Sequence, residues 1–295
     1  MSDKHIDFSV DYKKLRIFEE FNTKEIKFPI VLSIPHSGRI FPEEFLKNVA
    51  VNTKELRGSE DCFVDEIFGE AKNHGITGIS MNIARAFVDL NRDKIELDPT
   101  MFFDYPEVSS EQCGRRCRIG YGVIHRITDD NKPIYDGLIS FDEVNERIEK
   151  VYDVYHKRLK QLIDKTVKTF GFCFVLDCHS MPSRICSRML DDKKIDVCLG
   201  NLFDQSCPKE IIDFIRKNLE EFGYNVEMNI PFSGAFITFN YCQPRKKIFT
   251  LQLEINRGLY TNEENLSKLP EIQSISENMS KLTYNLSNFL LDFKN

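Results

Sequence analysis

Short apolar runs of strand length alternate along this 295-residue chain with longer stretches of helical periodicity, and that alternation restricts the fold more than any other feature. Residues 28–34, 172–176 and 195–199 are largely apolar, the pattern of strands covered on both faces. Further strands read at 79–83, 86–90, near 224–229, 235–241 and 248–255. Helices fall between them. One runs from Asp61 to about Lys72 with Phe63, Ile67 and Phe68 on its apolar side, and Gly75 and Gly78 bracket the turn that follows. The clearest helix repeats Val144, Ile148, Val151, Tyr155, Leu159, Leu162 and Val167 at helical spacing and ends at Gly171. It opens at Ser140-Phe141-Asp142-Glu143, which has the S-x-x-E spacing of a capping box. Others cover about 208–222 and 270–293.

This order of elements predicts an α/β fold, a single domain over 1–295 with a mixed, largely parallel sheet and helices on both faces. No repeat, low-complexity segment or linker divides it. Residues 93–135 stand apart as an irregular insertion rich in Asp, Pro, Gly and Arg, and segments of that length with little periodicity are functional or mobile more often than core. Carrying Arg115, Arg116, Arg118 and Arg126, it reads as a lid over a site.

Charge narrows the partners. With 40 basic and 46 acidic residues the formal charge is −6 and there is no basic stripe, which argues against nucleic acid or an anionic membrane. No run approaches the roughly 18 apolar residues that span a bilayer. Met1-Ser2-Asp3-Lys4-His5 lacks the apolar core of a signal peptide, so a cytoplasmic protein acting on a small molecule is expected. Nine cysteines without a scaffold rhythm fit reduced thiols. Cys113 and Cys117 match no standard metal or redox spacing, and Cys62 and Cys178 read as packing residues.

Two histidines end apolar runs, His36 in Ser33-Ile34-Pro35-His36-Ser37-Gly38 and His179 in Leu176-Asp177-Cys178-His179-Ser180. Strand ends are where α/β sheets build their sites. A lone histidine there is more often a hydrogen-bonded structural residue; two of them, with the acidic pair Glu60-Asp61 between, favour a metal. Two imidazoles and one carboxylate are the usual protein share of a hydrolytic zinc site. Asp61 or Glu60 supplies that carboxylate, since neighbours at a helix start do not both point at one ion, and the other serves as a cap or supporting acceptor. Asp177 is placed to orient a ligand imidazole through its second nitrogen. A second cluster, Arg85, Asp89, Asn91 and Arg92, can clamp a carboxylate, unless Asp89 simply pairs with an arginine. In Gln252, Glu254 and Asn256, polar residues alternate with Leu253 and Ile255 and share one face. Glu254 is therefore either a general base on a buried strand or part of a solvated edge.

Taken in order, Pro35-His36-Ser37-Gly38, Ser59-Glu60-Asp61, Ala84-Arg85 through Asp89-Leu90-Asn91-Arg92, Asp177-Cys178-His179-Ser180, Ser233-Gly234 and Gln252-Leu253-Glu254 resemble the N-formylglutamate amidohydrolase family over about residues 28–262. The family is similar in fold to zinc carboxypeptidases and aspartoacylase, so the resemblance implies a zinc-exopeptidase-like (phosphorylase/hydrolase-like) architecture. It implies one zinc ion on His36, Asp61 and His179, with Glu60 the alternative acid, and Glu254 as base. It further implies Arg85 at the developing oxyanion, Asn91 and Arg92 on the substrate carboxylate, and Ser233 and Gly234 in the substrate pocket. The implied reaction converts N-formyl-L-glutamate and water to formate and L-glutamate. A carboxypeptidase-like or other N-acyl amino acid amidohydrolase, or a non-catalytic binder of acidic amino acids, are the competing readings. The chain departs from the family where a double glycine and Thr-Arg-His give way to Ser233-Gly234-Ala235-Phe236-Ile237-Thr238-Phe239-Asn240.

Overall fold

Seven strands in chain order, β1 (Phe18–Phe21), β2 (Ile30–Ile34), β3 (Thr77–Met81), β4 (Cys173–Met181), β5 (Val197–Gly200), β6 (Val226–Met228) and β7 (Ile248–Asn256), form one sheet ordered β1-β3-β2-β4-β7-β5-β6. The computed structural model describes residues 11, 14–106, 113–187 and 194–293. β2 runs parallel to β3 and β4, β4 to β7, and β5 to β6, whereas β5 and β7 pair antiparallel. This is the mixed, mostly parallel α/β sheet that the alternation of elements implies. Every residue of β2, β3, β4 and β7 is buried, so β7 is a central strand and not a solvated edge.

The chain divides into two compact units. One comprises the chain up to Glu19, His36–Glu60 and Met81–Arg158; the other comprises Glu20–Pro35, Asp61–Ser80 and Leu159–Asn295. Each unit gathers three stretches of chain, so no linker marks a boundary. In the second unit the sheet packs with the helices Val64–Gly69, Lys209–Glu221 and Ile272–Asp292 in one apolar core that includes Leu32, Phe68, Leu176, Ile215, Leu253, Met279 and Leu286. Cys62 and Cys178 lie in it, and burial pushes the Cys178 thiol well above its ordinary range, so it packs and does not react. In the first unit Phe45 meets Phe87 and Tyr135 edge-on at 5.6 and 5.9 Å, and the fully buried Arg147 lies over Phe87 at 4.6 Å.

Several elements differ from the sequence pattern. β4 does not stop at Leu176 but pairs with β7 through Met181, so His179 sits within the strand. The segment read as a strand at 86–90 is irregular, because Asp89 draws its hydrogen bonds inward. Residues 235–241 form a helix, Phe236–Tyr241. Asp61 precedes the helix that the sequence pattern starts there, since Phe63 takes a left-handed conformation (φ 62°) just before Val64–Gly69. The Ser140 side chain makes no capping box. It donates to Asp104, which also accepts from Phe141 N at 2.6 Å. A capping box does form at Asn52 and Glu55. Cys113 and Cys117 are disulfide-bonded, against the expectation of thiols throughout; the other seven cysteines are free.

Candidate active site

The second unit supplies a polar stripe across three neighbouring parallel strands. In register, Ser33 of β2 lies opposite Asp177 of β4, which lies opposite Gln252 of β7, and His179 lies opposite Glu254. Side chains two apart share a face, so Asp177, His179, Gln252 and Glu254 line up within an apolar core, all buried. The stripe satisfies much of its own hydrogen bonding. Ser33 donates its hydroxyl to Asp177 Oδ1 at 3.0 Å, His179 Nε2 donates to Asp177 Oδ2 at 2.8 Å, and Gln252 Nε2 donates to Glu254 Oε1 at 2.7 Å. Asp61 Oδ2 lies 2.9 Å from His179 Nδ1, while Oδ1 faces Arg257 Nη2 at 3.4 Å and Ser180 Oγ at 3.5 Å. Burial opposes charge on His179, yet Asp177, Asp61 and Glu254 hold its imidazole well above its ordinary range.

The first unit builds a second aspartate–histidine pair without a strand. Asp89 is wholly buried, and only donors surround it. Oδ1 accepts from His36 Nε2 and Asn91 N, both at 2.8 Å; Oδ2 accepts from His125 Nε2 at 3.0 Å and from Arg85 Nε and Nη2 at 2.9 Å. Burial favours the neutral acid, but Arg85, His36, Arg92 and His125 hold Asp89 well below the usual carboxylate range. Burial outweighs Asp89 at His125 and lowers that imidazole. Arg92 is buried too, with Nε on Tyr121 O at 3.0 Å and Nη1 on Asn91 O at 2.8 Å, and burial lowers its pKa.

His36, Asp61 and His179 are all buried, and each offers a ligand atom such that the three atoms lie within 4.8 Å of one another. The donor set suits a divalent ion. A carboxylate can only accept, so Asp89 and Asp177 each hold a proton on the Nε2 of their imidazole and make Nδ1 the nitrogen that could coordinate an ion, at His179 in exchange for the proton that Asp61 accepts there. Glu60 is otherwise engaged. Arg39 Nε holds it at 2.8 Å and Arg57 Nε at 2.5 Å, so of the two neighbouring acids only Asp61 belongs to the group.

Ser233 and Gly234 lie in the loop before the helix Phe236–Tyr241 and pack against Gly200, the last residue of β5. A Cβ on Gly200, which pairs with Gln252, would meet Gly234 N at 2.5 Å and the Ser233 carbonyl carbon at 2.7 Å, so only glycine permits this approach beside the β7 stripe. Asn256 points elsewhere, donating to Ile195 O at 2.9 Å. Of the insertion's arginines, Arg115, Arg116 and Arg118 are exposed and Arg126 pairs with Asp98 at 3.0 Å. Two contributors have no role in the sequence reading of the site. His125 follows the apolar pair Val123-Ile124 in the insertion, where only its own chemistry could flag it, and Arg257 directly follows β7.

The model of the N-formylglutamate amidohydrolase family matches residues 28–261. An N-formylglutamate deformylase of Pseudomonas putida is 24% identical over 240 residues, covering 80% of this chain and 83% of its own length. Its counterpart in Pseudomonas aeruginosa is 23% identical over 251 residues, covering 83% and 87%. The crystal structure of N-formylglutamate amidohydrolase from Ralstonia eutropha JMP134 superposes with a TM-score of 0.88 at 28% identity, over 94% of this chain and 99% of that one.

Proposed function

The chain belongs to the N-formylglutamate amidohydrolase family, and from that premise we propose that it hydrolyses the amide of N-formyl-L-glutamate to formate and L-glutamate, using one divalent ion, zinc by donor chemistry, on His36, Asp61 and His179. The observation that carries this reading is the buried His36, Asp61 and His179 group, in which each imidazole is backed by its own buried aspartate. When bound, the ion acidifies a water and polarises the formyl carbonyl.

The chain's own residues supply the rest. Asp89 and Asp177 keep both imidazoles in the coordinating tautomer. Glu254, steered by the Gln252 amide, takes a proton from the attacking water and delivers it to the amide nitrogen as the leaving amine departs. Arg85, anchored to Asp89 by Nε and Nη2, opposes the charge that develops on the carbonyl oxygen. Asn91 and Arg92 hold the α-carboxylate, which fixes the amide for attack. Ser233 and Gly234 border the substrate pocket.

Metal analysis of the purified protein, followed by chelation and zinc readdition, tests the reading. Activity on N-formyl-L-glutamate should fall on chelation and return with zinc; turnover unaffected by chelation in metal-free protein refutes it. A parallel panel of N-acetyl amino acids and dipeptides should be turned over far more slowly, and a preference for any of them would reassign the substrate.

A further inference from the structure

The helix over 141–170 is not uniformly α-helical. Ile148–Tyr152 is a π turn, with an α-helical stretch before it (Phe141–Arg147) and after it (Asp153–Phe170). Such turns insert one residue into a helix and recur at functional sites. Here the insertion has a definite geometric effect. In an unbroken α-helix Arg147, Tyr152 and His156 would point about 0°, 140° and 180° around the axis, on opposing sides. One inserted residue reduces those angles to about 0°, 40° and 80°, a single stripe.

That stripe meets one short piece of chain. Arg147 Nη1 donates to Phe87 O at 3.3 Å, Tyr152 Oη to Arg92 O at 2.8 Å, and His156 Nε2 to Leu90 O at 3.0 Å. The Tyr152 and His156 rings lie 4.2 Å apart, which stiffens the pair. The 87–92 segment so held is irregular and carries Asp89, Asn91 and Arg92. No sheet ladder satisfies its carbonyls, and the helix side chains take up three of them, at Phe87, Leu90 and Arg92. We propose that the π turn registers Tyr152 and His156 as positioning residues for the Asn91 and Arg92 clamp, setting how tightly the substrate carboxylate is held. This rests on the reading above that Asn91 and Arg92 bind that carboxylate.

Steady-state kinetics on N-formyl-L-glutamate separate the possibilities, with Arg92→Ala as the reference for the clamp. Tyr152→Phe and His156→Met should each raise KM about three- to tenfold with kcat within about twofold, the effect of one lost hydrogen bond on binding alone. His156→Gln, whose amide can still donate to the Leu90 carbonyl, should restore most of the loss. Deleting the exposed Lys150 removes the extra residue and should raise KM at least as much as both point variants together. If that deletion does not fold, the point variants decide the matter. A large KM increase for Arg92→Ala with none for Tyr152→Phe and His156→Met, or a fall in kcat alone in those two variants, overturns the proposal and leaves the clamp standing. An unchanged KM for Arg92→Ala removes the clamp and the proposal together.

Discussion

Replacing Asp89 with asparagine should be costly in two separable ways, because every neighbour of Asp89 is a donor. An asparagine keeps the shape but turns one acceptor into an amide NH₂. With that NH₂ at the Oδ1 position it confronts the backbone N–H of Asn91, and His36 must move its proton from Nε2 to Nδ1, the nitrogen needed for coordination. With the NH₂ at the Oδ2 position it confronts Arg85, which cannot give up a proton. Either orientation strands a fixed donor. A buried donor left unsatisfied costs about 1–3 kcal/mol and a broken buried ion pair about 3–5 kcal/mol. Arg85 keeps 19% side-chain exposure and can recover part of its hydration, so about 3 kcal/mol is expected, or a melting temperature lower by about 6 °C or more. Metal affinity should fall roughly 10- to 100-fold, as for other residues that orient a ligand imidazole. Calorimetry of the metal-free protein reads the first effect, and zinc competition against a chromogenic chelator reads the second. A variant that melts within about 1 °C of the parent and binds zinc within about twofold would show that Asp89 neither neutralises this cluster nor orients His36.

Asp61→Asn should abolish tight zinc binding, whereas Glu60→Gln, which loosens Arg39 and Arg57, should lower the melting temperature and leave the bound metal in place; equilibrium dialysis with metal analysis distinguishes them. Glu254→Gln should retain zinc but lose roughly two or more orders of magnitude in kcat, and near-normal turnover would remove Glu254 from the mechanism. Stability should also depend on pH through His125. Its folded pKa lies below the ordinary 6.5, so between those two values the unfolded chain binds more protons; this contribution is complete above about pH 6.5 and is lost as the pH falls toward the folded value. Melting curves from pH 8 to 5 should therefore slope downward below about 6.5, less so in His125→Asn, and an identical slope in both excludes His125 as the source.

The parts of this molecule legible in the sequence are those where local pattern and tertiary role agree. β2 and β7 read correctly because uninterrupted burial demands apolar residues, and the polar members of β7 stood out against that background. The long helix read correctly over nearly its whole length, but its π turn did not, since one inserted residue leaves the spacing of Val144, Ile148 and Val151 untouched. The helix at Phe236–Tyr241 reads as a strand in the sequence because six residues dominated by Phe, Ile, Thr and Tyr have strand propensity, whereas the segment packs against β4 and β7 as a helix. The 86–90 stretch failed for the opposite reason. Its apolar residues suggest a strand, yet the hydrogen bonds there run to the wholly buried Asp89 carboxylate and not along a backbone ladder. Asp104, capping a helix 37 residues away, has no local signature at all.

The two histidines show how one chemical requirement is met by unrelated local structures. His179 gets its aspartate from two residues back along the same strand, where the alternation of side chains places Asp177 beside it without further design. His36 has no such neighbour, because Pro35 ends β2 and breaks the alternation, so its aspartate comes from 53 residues away on a segment with no regular structure. That segment must be held by other means, and His125, Arg85 and the Asn91 amide supply them at Asp89 itself, while Arg147, Tyr152 and His156 hold its carbonyls. The strand-borne half of the site is therefore expected to tolerate substitutions around it better than the segment-borne half. Conservative changes near Asp177 that preserve β4 pairing should leave zinc affinity nearly intact, whereas equally conservative changes among the residues that hold 87–92 should not.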